Sequence, residues 1–96
     1  MNVLIRPEAE AEIAEAYVYY EAAAEGLGAA FLRAVEACLA AIERSPEQYV
    51  VVHQQVRRAL LRRFPYAVFY IVEPDQVVVL ACFHARRDPK QWQNRV

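Results

Sequence analysis

The sequence predicts an α+β fold in the order β-α-α-β-β-β, with an N-terminal helical hairpin packed on one face of a twisted, mostly antiparallel sheet. Three observations lead there. The first half carries apolar residues at helical spacing, interrupted once by Gly26-Leu27-Gly28. The second half carries runs of β-branched and aromatic residues. The connections between those runs are tight, which favours antiparallel pairing.

Residues 2–5 form a short apolar run that suits an opening strand. Pro7 fits the first turn of a helix, where its missing N–H costs nothing. Glu8, Glu10 and Glu12 follow, favourable near the positive end of the helix dipole. Ala9, Ile13, Ala16, Tyr17 and Tyr20 recur at helical spacing, so a first helix is expected over residues 7–25. Gly26 is placed to take the left-handed conformation that stops a helix. Phe31, Val35, Cys38, Leu39 and Ile42 mark a second helix, which ends at Ser45-Pro46. So short a break makes the two helices an antiparallel hairpin.

Beyond the hairpin, residues 49–52 are β-rich and residues 56–64 mix leucine with arginine. Residues 66–72 and 76–84 are β-branched and aromatic, giving three or four strands in all. Pro74 stands where a type I turn prefers it, joining the last two strands. The tail, residues 88–96, is polar except for Trp92 and suits a single helical turn. No linker separates the halves, so residues 1–96 are expected to form one domain.

Two helices cover only one face of such a sheet. Yet residues 66–72 and 77–83 are apolar at both alternating sets of positions, where a half-covered antiparallel sheet would alternate apolar with polar. The second face therefore needs shelter from the tail with Trp92, from a second copy, or from another protein. Nine tail residues are few for two strands, which favours a protein partner for part of it.

The net charge of −1 conceals a strong imbalance. Residues 1–48 hold three arginines against nine glutamates, a balance of −6. Residues 49–96 hold eight basic residues against three acidic ones, a balance of +5. The molecule is polarised, and the polarity bears on its partners. The longest apolar run, residues 77–83, falls far short of the ~20 residues that cross a bilayer, and the N-terminus turns acidic, unlike a secretory signal. Cys38 and Cys82 lie among apolar neighbours and read as buried free thiols of a reducing cytoplasm. Two cysteines make no zinc site, and the sequence has no Gly-rich phosphate loop, nucleophile elbow or HExxH, so no metal or cofactor is expected.

The seven arginines at 57, 58, 62, 63, 86, 87 and 95, with Lys90, are the most functional-looking feature, and six of them come as the doublets Arg57-Arg58, Arg62-Arg63 and Arg86-Arg87. In a strand each doublet sends one guanidinium to each face. They suit either a charged strand that resists aggregation, or the binding of phosphate or an acidic protein strand through forked, permanently charged donors. Trp92 joins these six arginines as a candidate for the partner surface. His84 ends an apolar strand and is a candidate acid or base, against the commoner structural role of such a histidine. Asp88 is placed to pair with Arg86 or Arg87. His53 lies in an expected loop without catalytic company. Tyr66 and Tyr70 share one strand face, either as core or as a base-stacking platform.

These residues, taken in order, resemble the RelE/ParE toxins of type II toxin–antitoxin systems, from Ile5 to Trp92. The resemblance rests on Pro7-Glu-Ala-Glu-Ala-Glu-Ile13 with Tyr19-Tyr20, on Gly26-Leu27-Gly28 before Phe31, and on Pro46 with Tyr49. It continues through Val56-Arg57-Arg58-Ala-Leu-Leu-Arg62-Arg63-Phe64-Pro65-Tyr66, Tyr70, and His84-Ala-Arg86-Arg87-Asp88-Pro89 with Trp92. It implies the fold read above and a cognate antitoxin whose extended or helical segment wraps the toxin in a hetero-oligomer. RelE-like members cleave mRNA on the ribosome without metal, which would cast Arg58 and Arg62 as phosphate ligands and His84 as acid or base. ParE-like members inhibit DNA gyrase. Lysine is absent from the middle strands, and the chain continues past His84 into a tail with Trp92; both departures favour the ParE-like reading. An inactive binding module acting only through its partner is the third possibility.

Overall fold

In chain order the elements are β1 (Asn2–Ile5), α1 (Pro7–Ala23), α2 (Leu27–Arg44), β2 (Val51–His53), β3 (Val56–Leu60), β4 (Tyr66–Val72), β5 (Gln76–His84) and α3 (Lys90–Gln93). The structure, a computed structural model, describes residues 2–87 and 90–95. The α+β class and the helical hairpin are as the sequence indicates, and four strands follow the hairpin, with Val51–His53 pairing at the sheet edge.

Extended backbone at Arg6 hands over to Pro7, and Glu8 and Glu10 occupy the first turn of α1. That helix buries Ala9 and Ala16, whose small side chains let its backbone lie close on β5. Gly26 does adopt the left-handed conformation, with φ +86°. The break sits earlier than the sequence suggests, at residues 24–26, because α1 ends at Ala23 and α2 already begins at Leu27. The reason lies in Glu21, whose carboxylate accepts the Gly26 N–H at 3.0 Å and the Gly28 N–H at 2.9 Å. Two donors left open at the helix start are thus satisfied by a side chain of the preceding helix. Gly28 is required there, since a Cβ would stand 2.8 Å from the Tyr17 ring.

The sheet order is β1-β5-β4-β3-β2. The first strand runs parallel to β5, and every other pairing is antiparallel. On the helical face, Phe31, Val35 and Ile42 of α2 pack with Val68, Tyr70, Val77, Val79 and Cys82. Tyr20 stacks on Phe31 with ring centroids 5.3 Å apart and meets Phe64 and Tyr66 edge-on. Tyr66 and Tyr70 therefore belong to the core, and Tyr70 donates its hydroxyl to the Pro46 carbonyl. Burial pushes the Tyr70 phenol up to about 12, with Arg57 opposing the shift.

The centre of the second face is also covered, by the chain itself. Phe69, Leu80, Phe83 and their neighbours form a separate buried cluster roofed by Trp92, whose ring stacks on Phe69 at 4.5 Å. The tail thus covers the centre of this face, with one indole over the middle of β4, and leaves its flanks open. The large apolar side chains left in solvent are Val18 and Tyr19 on α1, Val50, Val51 and Val52 along the β2 edge, and Leu4 and Leu60, which lie opposite Val78 and Ala67 at the flanks of this second face.

Candidate functional site

The third strand sorts its two arginines by face. Arg57 lies opposite Tyr70 and Arg58 opposite Phe69. Arg57 therefore turns to the helical side, where its Nη1 donates to the Glu47 and Tyr49 carbonyls at 3.0 and 2.7 Å. These bonds fasten the α2–β2 connection, so Arg57 is taken up internally. Arg58 points to the second face, and its Nε is buried without a hydrogen-bond acceptor among the described residues. Beside it lies a groove of about 250 Å³ lined by Arg58, Val52, Phe69, Arg87 and Trp92. The first doublet thus splits between the faces as the strand geometry requires.

The second doublet does not. Regular pairing ends at Leu60, and the Leu61 N–H bonds to the Tyr66 carbonyl at 2.9 Å, closing a loop over Arg62–Pro65. Arg63 takes a left-handed φ of +70°, which no strand allows. Arg62 lines a different groove, about 280 Å³, with Ala34, Cys38, Arg44 and Tyr49 on the α2 side. Arg58 and Arg62 therefore do not converge. Arg63 lies over the Phe64 ring at 5.8 Å and is exposed.

His84 is placed by a one-residue irregularity. Phe69 pairs with Ala81 but Tyr70 pairs with Val79, leaving Leu80 as an extra residue in β5. Leu80 and Ala81 consequently both face the second cluster, while Val79 and Cys82 face the helices. The bulge reverses the alternation, so His84 comes opposite Tyr66 and meets its ring at 5.6 Å. Its Nδ1 accepts the Arg86 N–H at 3.2 Å, which puts the ring proton on Nε2. His84 thus stands with the helical-side aromatics, away from Arg58. Arg86 and Arg87 are exposed, and Arg87 lies over the Phe83 ring at 4.9 Å. The expected pairing of Asp88 falls outside the described residues.

Trp92, a candidate for the partner surface, lines the Arg58 groove. It is 3% exposed and is occupied in roofing the second face. The histidine with which it does associate is His53, at 5.7 Å edge-on. What the sequence does not show is the engagement of Arg95, whose guanidinium forks onto Glu12 at 2.9 and 3.1 Å and donates to the Leu80 carbonyl at 3.0 Å. Glu12 in turn accepts the Cys82 N–H at 3.1 Å. The pair closes the stretch of β5 that runs beyond β1. No local sequence signal could find it, since its members are 83 residues apart.

Among the described residues, no three His, Cys, Asp or Glu side chains are grouped to hold a metal. Cys38 and Cys82 are free and buried. Burial pushes their thiols up to about 11 and about 12, with Glu12 adding to the shift at Cys82. They are packing residues, not nucleophiles. Among the described residues, no helix is long and apolar enough to cross a membrane.

Comparison with known proteins adds to this geometry. No curated protein sequence matches the chain. Among solved structures, one described as the chromosomal ParDE toxin–antitoxin system from P. aeruginosa is similar, with a TM-score of 0.65 and 17% identity. That match covers 88% of this chain and 95% of the other. At so low an identity the likeness is one of fold. The family model described as the ParE toxin of type II toxin–antitoxin system, parDE, matches residues 3–89, nearly the whole chain. The chain belongs to the ParE toxin family of type II toxin–antitoxin systems.

Proposed function

We infer that this chain is a toxin that inhibits DNA gyrase and is held silent by a cognate antitoxin in a cytoplasmic hetero-oligomer. The observation that carries the choice of target is the dispersal of the side chains an RNA-cleaving site would need. Metal-free cleavage requires cations around one phosphate and an acid or base within hydrogen-bond reach of the reacting oxygens. Here Arg58 lies on the second face, Arg62 on the α2 side, and His84 beside Tyr66. Such an arrangement suits a binding toxin better than a nuclease.

The test is a pair of assays on the purified chain. Gyrase with relaxed plasmid and ATP should lose supercoiling activity as the chain is added, and the product of an adjoining reading frame should restore it. A translating extract should keep its mRNA intact. Rapid mRNA cleavage with gyrase unaffected would sink the gyrase reading; no effect in either assay, and harmless expression without an antitoxin, would sink the toxin reading.

A further inference from the structure

Edge strands carry unpaired main-chain donors and acceptors and are ordinarily guarded by charge, proline or a covering element. One exposed stretch here is guarded: where β5 runs beyond β1, Glu12 and Arg95 bond its Cys82 N–H and Leu80 carbonyl. The β2 edge is not. Val50, Val51 and Val52 are 57, 46 and 37% exposed, three consecutive β-branched residues with neither charge nor proline among them. The Arg58 N–H bonds inward to the Val50 carbonyl at 3.1 Å. Because main-chain groups alternate sides along a strand, those of Val51 point to the open edge.

The same strand borders the Arg58 groove, since Val52 forms part of its wall. Arg58 brings to that groove a guanidinium whose Nε is buried and, among the described residues, has no acceptor. A buried donor without a partner costs about 1–3 kcal/mol, more when charged, so the site favours an incoming acceptor. Arg87 adds a second cation on the rim, and among the described residues no Asp or Glu lines the groove. Residues directly opposite each other on paired strands point to the same face. A segment added alongside β2 would therefore aim its residue opposite Val52 towards Arg58.

We propose that the β2 edge and the Arg58 groove form one docking track for an extended acidic segment of the antitoxin. The segment pairs with Val51 through the main chain and places a carboxylate on Arg58. This rests on the toxin–antitoxin reading and says where and by what chemistry the antitoxin holds. Main-chain pairing supplies affinity, and the buried charged contact supplies register. Within the first doublet it makes Arg58 the partner-facing arginine, because Arg57 is already bonded to the Glu47 and Tyr49 carbonyls.

The experiment uses the full chain and the protein encoded by the adjoining reading frame. On complex formation the Val51 amide should become protected from hydrogen exchange, and the Arg58 Nε–H resonance should shift. Neither readout needs a variant. Arg58→Gln should weaken binding about 10- to 100-fold, the range of a lost charge-assisted bond. Val51→Pro should weaken it comparably, while Arg44→Gln, on the α2 side, should leave it within twofold. A complex that forms with Val51 unprotected and the Arg58 resonance unmoved overturns the track alone. No complex at all overturns the reading on which it rests. Val51 protected in a dimer of the free chain, with Val51→Pro monomeric, would assign the edge to a second copy and overturn the proposal.

Discussion

Replacing Trp92 by alanine tests whether the chain covers its own second face. The indole is 3% exposed and stacks on Phe69 with ring planes 23° apart. Its removal would uncover a cluster that includes Phe69, Leu80 and Phe83. Truncation of a buried aromatic to alanine costs about 3–5 kcal/mol, against the roughly 5–15 kcal/mol that stabilises a folded chain of ordinary size. The melting temperature should fall by at least about 12 °C, at roughly 4 °C or more per kcal/mol for a domain near this length. Urea titration followed by far-UV circular dichroism gives the stability difference. The wild type offers a second readout, because Trp92 is its only tryptophan. Its fluorescence should report the same midpoint as the dichroism if the tail and the sheet unfold together. A loss below about 1 kcal/mol, well under that expected for a buried aromatic, would refute the reasoning. So would a fluorescence transition at lower urea than the dichroism, because the second face would then be bare in solution.

Two further outcomes follow from the same geometry. A double-mutant cycle on Glu12→Gln and Arg95→Met should return a coupling of about 1–3 kcal/mol, because the pair is bidentate, partly buried and also bonded to the β5 main chain; a coupling near zero would place it with ordinary surface ion pairs. Cys38 and Cys82 should resist a thiol reagent in the folded protein, and stability should fall as pH rises past about 9. The sign follows from the raised folded-state values, about 11 and about 12 against 9.0: the unfolded chain releases these protons first, so the folded state is favoured below that range and loses ground through it. Rapid labelling at neutral pH, or a stability curve flat from pH 8 to 11, would contradict the burial.

Much of the fold was legible because local rules and global packing agree. Pro7 with its glutamates, the glycine break and the β-branched and aromatic run of β4 each specify their element without help from distant residues. The site was less legible. The Arg62-Arg63 doublet looks like strand until Arg63 turns left-handed, a conformation the β-rich sequence around it gives no sign of. The position of His84 depends on a bulge at Leu80, and nothing in Val77-Val-Val-Leu-Ala-Cys-Phe83 marks which residue is the extra one. Counting alternation from Val77 without the bulge would put His84 on the face of Arg58. The reach of Arg95 to Glu12 and the stacking of Trp92 on Phe69 are tertiary events between segments with no shared local pattern.

The parallel pairing of β1 with β5 has a consequence for the order of assembly. The first strand to be synthesised finds its partner in the last strand of the sheet, and α1 packs against that same strand. Until Gln76–His84 has been made, β1 has no neighbour and Ala9 and Ala16 have no floor. Contacts between such distant segments must await closure of the loop between them, which slows folding. While it is being made, the nascent chain can form helices but not this sheet, so toxicity that depends on the folded surface would begin only after synthesis has passed β5.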